Sequence, residues 1–189
     1  MERGIFEMYW SYYLSLEDMY KLTSRYVAHA ERNKLTYSDE FTKIILLSCS
    51  EIDSLLKVIC ECKNIAKAGK YYNMTSYAKA LECSEMSNFV LRSYSAHAGT
   101  MDYHSSVFAT PFDMLDSNKK NGGLSWWEDY QKLKHNRLKY AEKGNLLNAT
   151  NSMVALYILI CGLGSFLDEN QGGQYVQENY RSNLWIPVV

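Results

Sequence analysis

Four stretches of the chain carry apolar residues at the three- and four-residue spacing of a helical face. Leu16, Met19, Tyr20, Leu22, Tyr26, Val27 and Ala30 predict a first helix over 15–33. Ser15 is its N-cap, and Glu17 and Asp18 sit in the first turn, where the helix dipole favours acids. Phe41, Ile45, Cys49, Ile52, Leu56 and Ile59 predict a second over 38–63, widened by Ile44, Leu47, Leu55 and Val58 into an arc that needs burial on more than one side. A third runs over 125–141, with Ser125 and Glu128 at capping-box spacing. The fourth, 146–166, opens at Asn145 as N-cap and is apolar nearly all round from Met153 to Leu163, as the central helix of a bundle should be. Thr75 caps a shorter helix to Cys83. The fold class is therefore all-α: a single helical domain over 1–189, a bundle of about four to six helices.

Between these elements the pattern fails. Residues 1–14 are rich in aromatics, Phe6, Tyr9, Trp10, Tyr12 and Tyr13, and are expected to lie across the core surface or against a second subunit. Residues 84–123 form an irregular middle, in which Phe89-Val90-Leu91 fits a strand or a helical turn and Asp116 to Gly123 reads as a flexible basic loop. The tail Leu184-Trp185-Ile186 is apolar enough to dock on the body or on a partner.

Composition narrows the function classes. A net charge of −1 supplies no global field toward nucleic acid or an anionic membrane, so any such attraction must be local. The run Met153 to Leu163 is too short to span a bilayer, and no apolar leader follows Met1, so the protein is expected to be cytoplasmic and off the membrane. Five cysteines, an odd number, suit reduced thiols. Cys60-Glu61-Cys62 with Cys83 lacks zinc-knuckle spacing, and no carboxylate pattern accompanies His97 and His104, so neither metal nor cofactor is expected. Phosphate-loop, dinucleotide-binding, zinc-protease and serine-hydrolase motifs are all missing.

The candidate chemistry sits on the third helix. At about 100° per residue, Trp126, Trp127, Tyr130, Leu133, Leu138, Tyr140 and Ala141 share one broad arc. Lys134 and Arg137 point into it, whereas Glu128, Asp129, Lys132, Asn136, Lys139 and His135 lie outside. Two cations on an apolar face are costly unless paired. Glu51, inside the wide arc of the second helix, is the carboxylate placed to pair with them. One reading is structural: Lys134 and Arg137 lock onto Glu51 and join two helices. The other is a cleft lined by Lys134, Arg137, His135, Tyr130 and Trp127, with Glu51 orienting a cation, that holds a phosphate on an arginine fork and a lysine point charge.

A further observation concerns the whole stretch. A tryptophan pair, then Tyr130-x-x-x-Lys134-His135-x-Arg137, then an apolar helix opened by Gly144-Asn145-Leu146-Leu147-Asn148, preceded by Ser48-Cys49-Ser50-Glu51-Ile52 and Thr110-Pro111-Phe112, resembles bacterial helical proteins related to the HEPN superfamily. The resemblance is loose over 15–165 and best over 110–165. It implies a helical bundle, often a homodimer, and a metal-independent RNase or an RNA-binding protein of phage defence or stress response. Members that cleave RNA carry Arg, four to six residues, then His. Arg92 to His97 fits that count, whereas His135 and Arg137 stand in reverse order. In either pair the His would take the 2′-hydroxyl proton and the Arg would steady the phosphorane charge. Three expectations stand: RNA binding or cleavage with His135 and Arg137, or Arg92 and His97, as catalytic groups; a non-catalytic helical protein-interaction module; and a small phosphorylated ligand held at the same cations.

Overall fold

A computed structural model describes residues 3–82, 91–93, 108–167, 182 and 184–187. Within them are five α-helices, α1 (Arg3–Thr23), α2 (Asp39–Cys62), α3 (Met74–Glu82), α4 (Ser125–Asn136) and α5 (Leu146–Leu167), and three short strands, β1 (Leu91–Ser93), β2 (Phe108–Ala109) and β3 (Trp185–Pro187). The mostly helical bundle expected from the apolar spacing is the architecture observed.

Helix α5 is the centre. Met153 through Ile160 are buried without a break, and α5 packs against α2, α1 and α4. Helix α2 presents Phe41, Ile44, Ile45, Cys49, Ile52, Leu55, Leu56 and Ile59 inward, and α1, α3 and α4 pack around it. Leu47, counted in the inward arc from sequence, is exposed. Ser38 caps α2 as expected, its hydroxyl accepting from the Phe41 amide at 3.1 Å.

The first helix is displaced from its predicted bounds at both ends. It begins at Arg3 and ends at Thr23, so residues 3–14 are helical and Ser15 lies mid-helix, donating to the Ser11 carbonyl at 3.3 Å. Phe6, Tyr13, Leu16, Glu17 and Tyr20 form its buried face. Here tyrosines stand where aliphatic residues usually mark a helical stripe. At the other end the Thr23 and Ser24 hydroxyls donate to the carbonyls of Tyr20 and Lys21 and close the helix, because hydroxyls compete with the backbone ladder.

Two other caps move. Asn73, not Thr75, caps α3, its Oδ1 accepting from the Ser76 amide at 3.1 Å. Ser125 is inside α4, whose N-cap is Leu124, so no capping box forms. The loop expected to be flexible is instead hydrogen-bonded: the Asp116 amide donates to Gly122 O at 2.9 Å, and the Asp116 carboxylate accepts from the Asn118 amide at 2.9 Å. Asn121, Gly122 and Gly123 take successive left-handed φ values of 53°, 64° and 77°, a run suited to glycine.

The tail docks on the body. Strand β3 pairs antiparallel with β1, Arg92 opposite Ile186, and β2 pairs antiparallel on the other edge of β1. Leu184 is buried, and Ser182 shares a hydrogen bond with the buried Glu17 of α1. Pro187 sits on the edge strand, opposite Leu91, a position where proline is tolerated.

Candidate functional site

Helix α4 buries Trp126, Trp127, Tyr130 and Leu133, at the one- and two-turn spacing the wheel predicted. Their rings form a continuous chain. Phe112 meets Trp126 edge-on at 6.4 Å, Trp126 meets Trp127 at 5.7 Å and 88°, and Trp127 meets Tyr130 at 5.0 Å. The Trp126 indole N–H donates to Pro111 O at 2.8 Å, so its one polar atom is satisfied in the interior. Burial pushes the Tyr130 hydroxyl up to about 12, aided by the carboxylate of Asp53 on α2. Trp127 and Tyr130 are thus wall, not lining of an open cleft.

The cations fall differently from the wheel. Lys134, His135 and Arg137 are all exposed. The helix ends at Asn136, and Arg137 is already its C-cap. Leu138, counted in the apolar arc, lies beyond the helix and is 89 % exposed. Extending a 100° wheel past the real end therefore made the arc too wide. Lys134 is one turn on from Tyr130 and lays its stem along that ring, the ammonium 5.6 Å from the centroid and in water.

The Lys134/Arg137–Glu51 network is not formed. Arg137 pairs with Asp39, in the first turn of α2, at 3.0 Å and largely in solvent. Glu51 lies about 200° around α2 from both Cys49 and Asp53, the α2 residues nearest in effect to Tyr130. Its own charge reaches Tyr9 and Tyr12 of α1 instead. Desolvation raises the Glu51 carboxyl above the ordinary carboxylate range, and among the described residues no cation pairs with it.

His135 has no hydrogen-bond partner among the described residues. A general base needs a neighbour that fixes its ring and tautomer, and none is described here. Of the alternative pair, Arg92 is on β1, paired with Phe108 and Ile186, and His97 lies outside the described residues. Among the described residues no group of three or more His, Cys, Asp or Glu is placed to hold a metal ion, and no helix is long and apolar enough to cross a membrane.

What the wheel put on the outward side proves to be the polar joint of the structure. Asp129, only 17 % exposed at its side chain, accepts from Lys132 at 3.1 Å and from Asn148 Nδ2 at 3.2 Å and pairs with Lys143 at 3.7 Å. Asn148 also donates to Lys143 O at 2.9 Å, and its amide donates to the cap oxygen of Asn145 at 3.0 Å. The Asn145-x-x-Asn148 cap was legible. Its closure on Asp129 needed the turn between α4 and α5. This joint engages Lys132 and Lys143. Lys134 and Lys139, by contrast, form no salt bridge among the described residues, and Arg137 holds only an exposed one. Lys134, His135, Arg137 and Lys139 are therefore exposed in the last turn of α4 and the residues just after it, with Lys134 over the Tyr130 ring. No family model, curated protein or solved structure matches the chain.

Proposed function

We propose that this chain is a HEPN-like helical protein that binds RNA on the exposed basic end of α4 and does not cleave it. The observation that carries the reading is the set of exposed cations at 134–139: Lys134 and Lys139 pair with no carboxylate described, and Arg137 only with the solvent-exposed Asp39. Phosphate contacts of this kind supply most non-specific affinity for nucleic acid, and counterion release makes it salt-dependent. The absence of any described partner for His135 weighs against an acid–base role there. The HEPN relationship itself rests on the Tyr130-to-Arg137 and Gly144-to-Asn148 residues, and the cytoplasmic defence or stress setting and the homodimer come with it. The protein-interaction reading loses its structural network, since Glu51 meets neither cation. The phosphorylated-ligand reading shares the same cations and differs in length dependence.

Binding of a fluorescent oligoribonucleotide at rising salt tests the proposal. With each neutralised phosphate contributing about 0.7 to the slope on a single strand, three cations give a log–log slope near −2. The Lys134→Gln/Arg137→Gln/Lys139→Gln variant is expected to lose most of both affinity and slope. The same RNA in EDTA should remain intact. Cleavage that disappears in His135→Ala or in His97→Ala would refute the non-cleaving assignment. Equal affinity for inorganic phosphate and for the oligomer would point to a small ligand instead.

A further inference from the structure

An exposed tyrosine two residues before Asp39, the partner of Arg137, has no role in the core. Tyr37 is 58 % exposed. Its backbone is nonetheless fixed on both sides: Thr36 O accepts from the Leu146 amide at 2.9 Å, and the Ser38 amide donates to Gly144 O at 3.0 Å. Tyr37 itself forms an antiparallel bridge with Asn145. Two residues on, Asp39 holds Arg137 at 3.0 Å, which brings the 36–39 segment to the end of α4. The two carboxylates that follow Tyr37 are both neutralised, Asp39 by Arg137 and Glu40 by Lys43. Tyr71, equally conspicuous at 68 % exposed, already carries Lys70 over its ring at 5.5 Å.

A ring held in water by a pinned backbone loses little freedom when something stacks on it. A cation held near such a ring, here Arg137 through Asp39, matches the repeating unit of an unpaired nucleic acid strand, a π-face next to a phosphate. A duplex offers the phosphates but keeps its bases stacked internally, and in RNA its deep, narrow major groove bars side chains from the base edges. Resting on the RNA-binding reading above, we propose that Tyr37 is a stacking platform for an unpaired base and that the partner at this end of the molecule is single-stranded RNA.

The test uses the full chain and fluorescence anisotropy with a short oligouridylate, the same sequence annealed to its complement, and a strand of equal length lacking bases. Stacking on one aromatic ring is worth about 1–3 kcal/mol per base, so Tyr37→Ala should weaken the single strand by about five- to 150-fold. Tyr37→Phe, which keeps the ring, should bind like wild type. The salt slope should be unchanged in Tyr37→Ala, because no phosphate contact is removed, and lowered in Arg137→Gln/Lys139→Gln. The duplex and the baseless strand should bind more weakly than oligouridylate and be indifferent to Tyr37→Ala. If wild type binds oligouridylate with a salt slope and Tyr37→Ala changes nothing, the stacking assignment falls and the electrostatic reading stands. Equal affinity for duplex and single strand also overturns it. If wild type binds none of the three at low salt, the RNA-binding reading itself falls. Circular dichroism of both Tyr37 variants should overlay wild type, since the side chain is outside the core.

Discussion

Glu51 shows how one residue's environment differs from its place on a helical wheel. Its carboxyl is raised by desolvation, with the tyrosines of α1 beside it and no cation described near it. A raised acid pKa means the native state binds the proton more tightly than the unfolded chain does. Its cost to stability is therefore absent below the unfolded value, about 4.3, and appears as pH rises through the higher folded value. Glu51→Gln removes that cost. The expected outcome is a variant at least as stable as wild type at neutral pH, with the difference shrinking toward zero in acid, measured as thermal midpoint against pH. A gap that does not vary with pH would show that charge is not the cause. Arg137 belongs at the same scale. Its pair with Asp39 is exposed on both sides, so its share of stability is at most about 1 kcal/mol, which leaves the guanidinium available to a ligand.

At the scale of elements, the start of α5 is tied to the segment that leads into α2. The first amides of a helix lack intrahelical partners, and here Leu146 and Leu147 donate to Thr36 O and Lys34 O, each at 2.9 Å. That approach draws residues 34–38 so close that a Cβ on Gly144 would run into the Thr42 hydroxyl on α2. Gly144→Ala should therefore destabilise the protein by about 1–3 kcal/mol, the usual cost of overpacking. Thr42→Ala in the same chain should recover part of the loss, and denaturant midpoints of the four members of the double-mutant cycle check it. The presence of α2, α4 and α5 was legible because each repeats apolar residues at helical spacing over several turns. Helix α1 was misplaced because its buried stripe is built from Phe6, Tyr13 and Tyr20 with Glu17 among them, a pattern that reads as surface when tyrosine is taken as half-wet. Burial pushes the Tyr20 hydroxyl well above its ordinary range, and Tyr20 meets Thr150 of α5 at 2.6 Å, a partner that only packing reveals.

For the whole molecule, the buried residues of α1, α2, α3, α4 and α5 belong to one continuous cluster, which also takes in Phe112 and Leu184. Elements that share one core lose it together. Tryptophan fluorescence, reporting Trp126 and Trp127 on α4, Trp10 on α1 and Trp185 on β3, should therefore unfold at the same denaturant midpoint as the helical circular dichroism signal. Separate midpoints would mean that α4 and its basic end open on their own. One core also explains how a chain of net charge −1 leaves cations exposed around the end of α4. The acid of the α4–α5 joint, Asp129, is turned inward against Asn148, Lys132 and Lys143, while Lys134, Arg137 and Lys139 remain outside.

The sequence by itself determined the helical class, the centrality of α5, the inward tryptophans of α4 and the caps at Ser38 and Asn145. Each of these depends on residues within a few turns of one another, where periodicity and side-chain oxygens act locally. Tertiary structure decided where α4 stops, that Arg137 meets Asp39 rather than Glu51, how the tail pairs with β1, and that the Tyr37 segment reaches the end of α4 through Asp39. Those facts depend on which elements approach which, and a helical wheel carries no information about a neighbour.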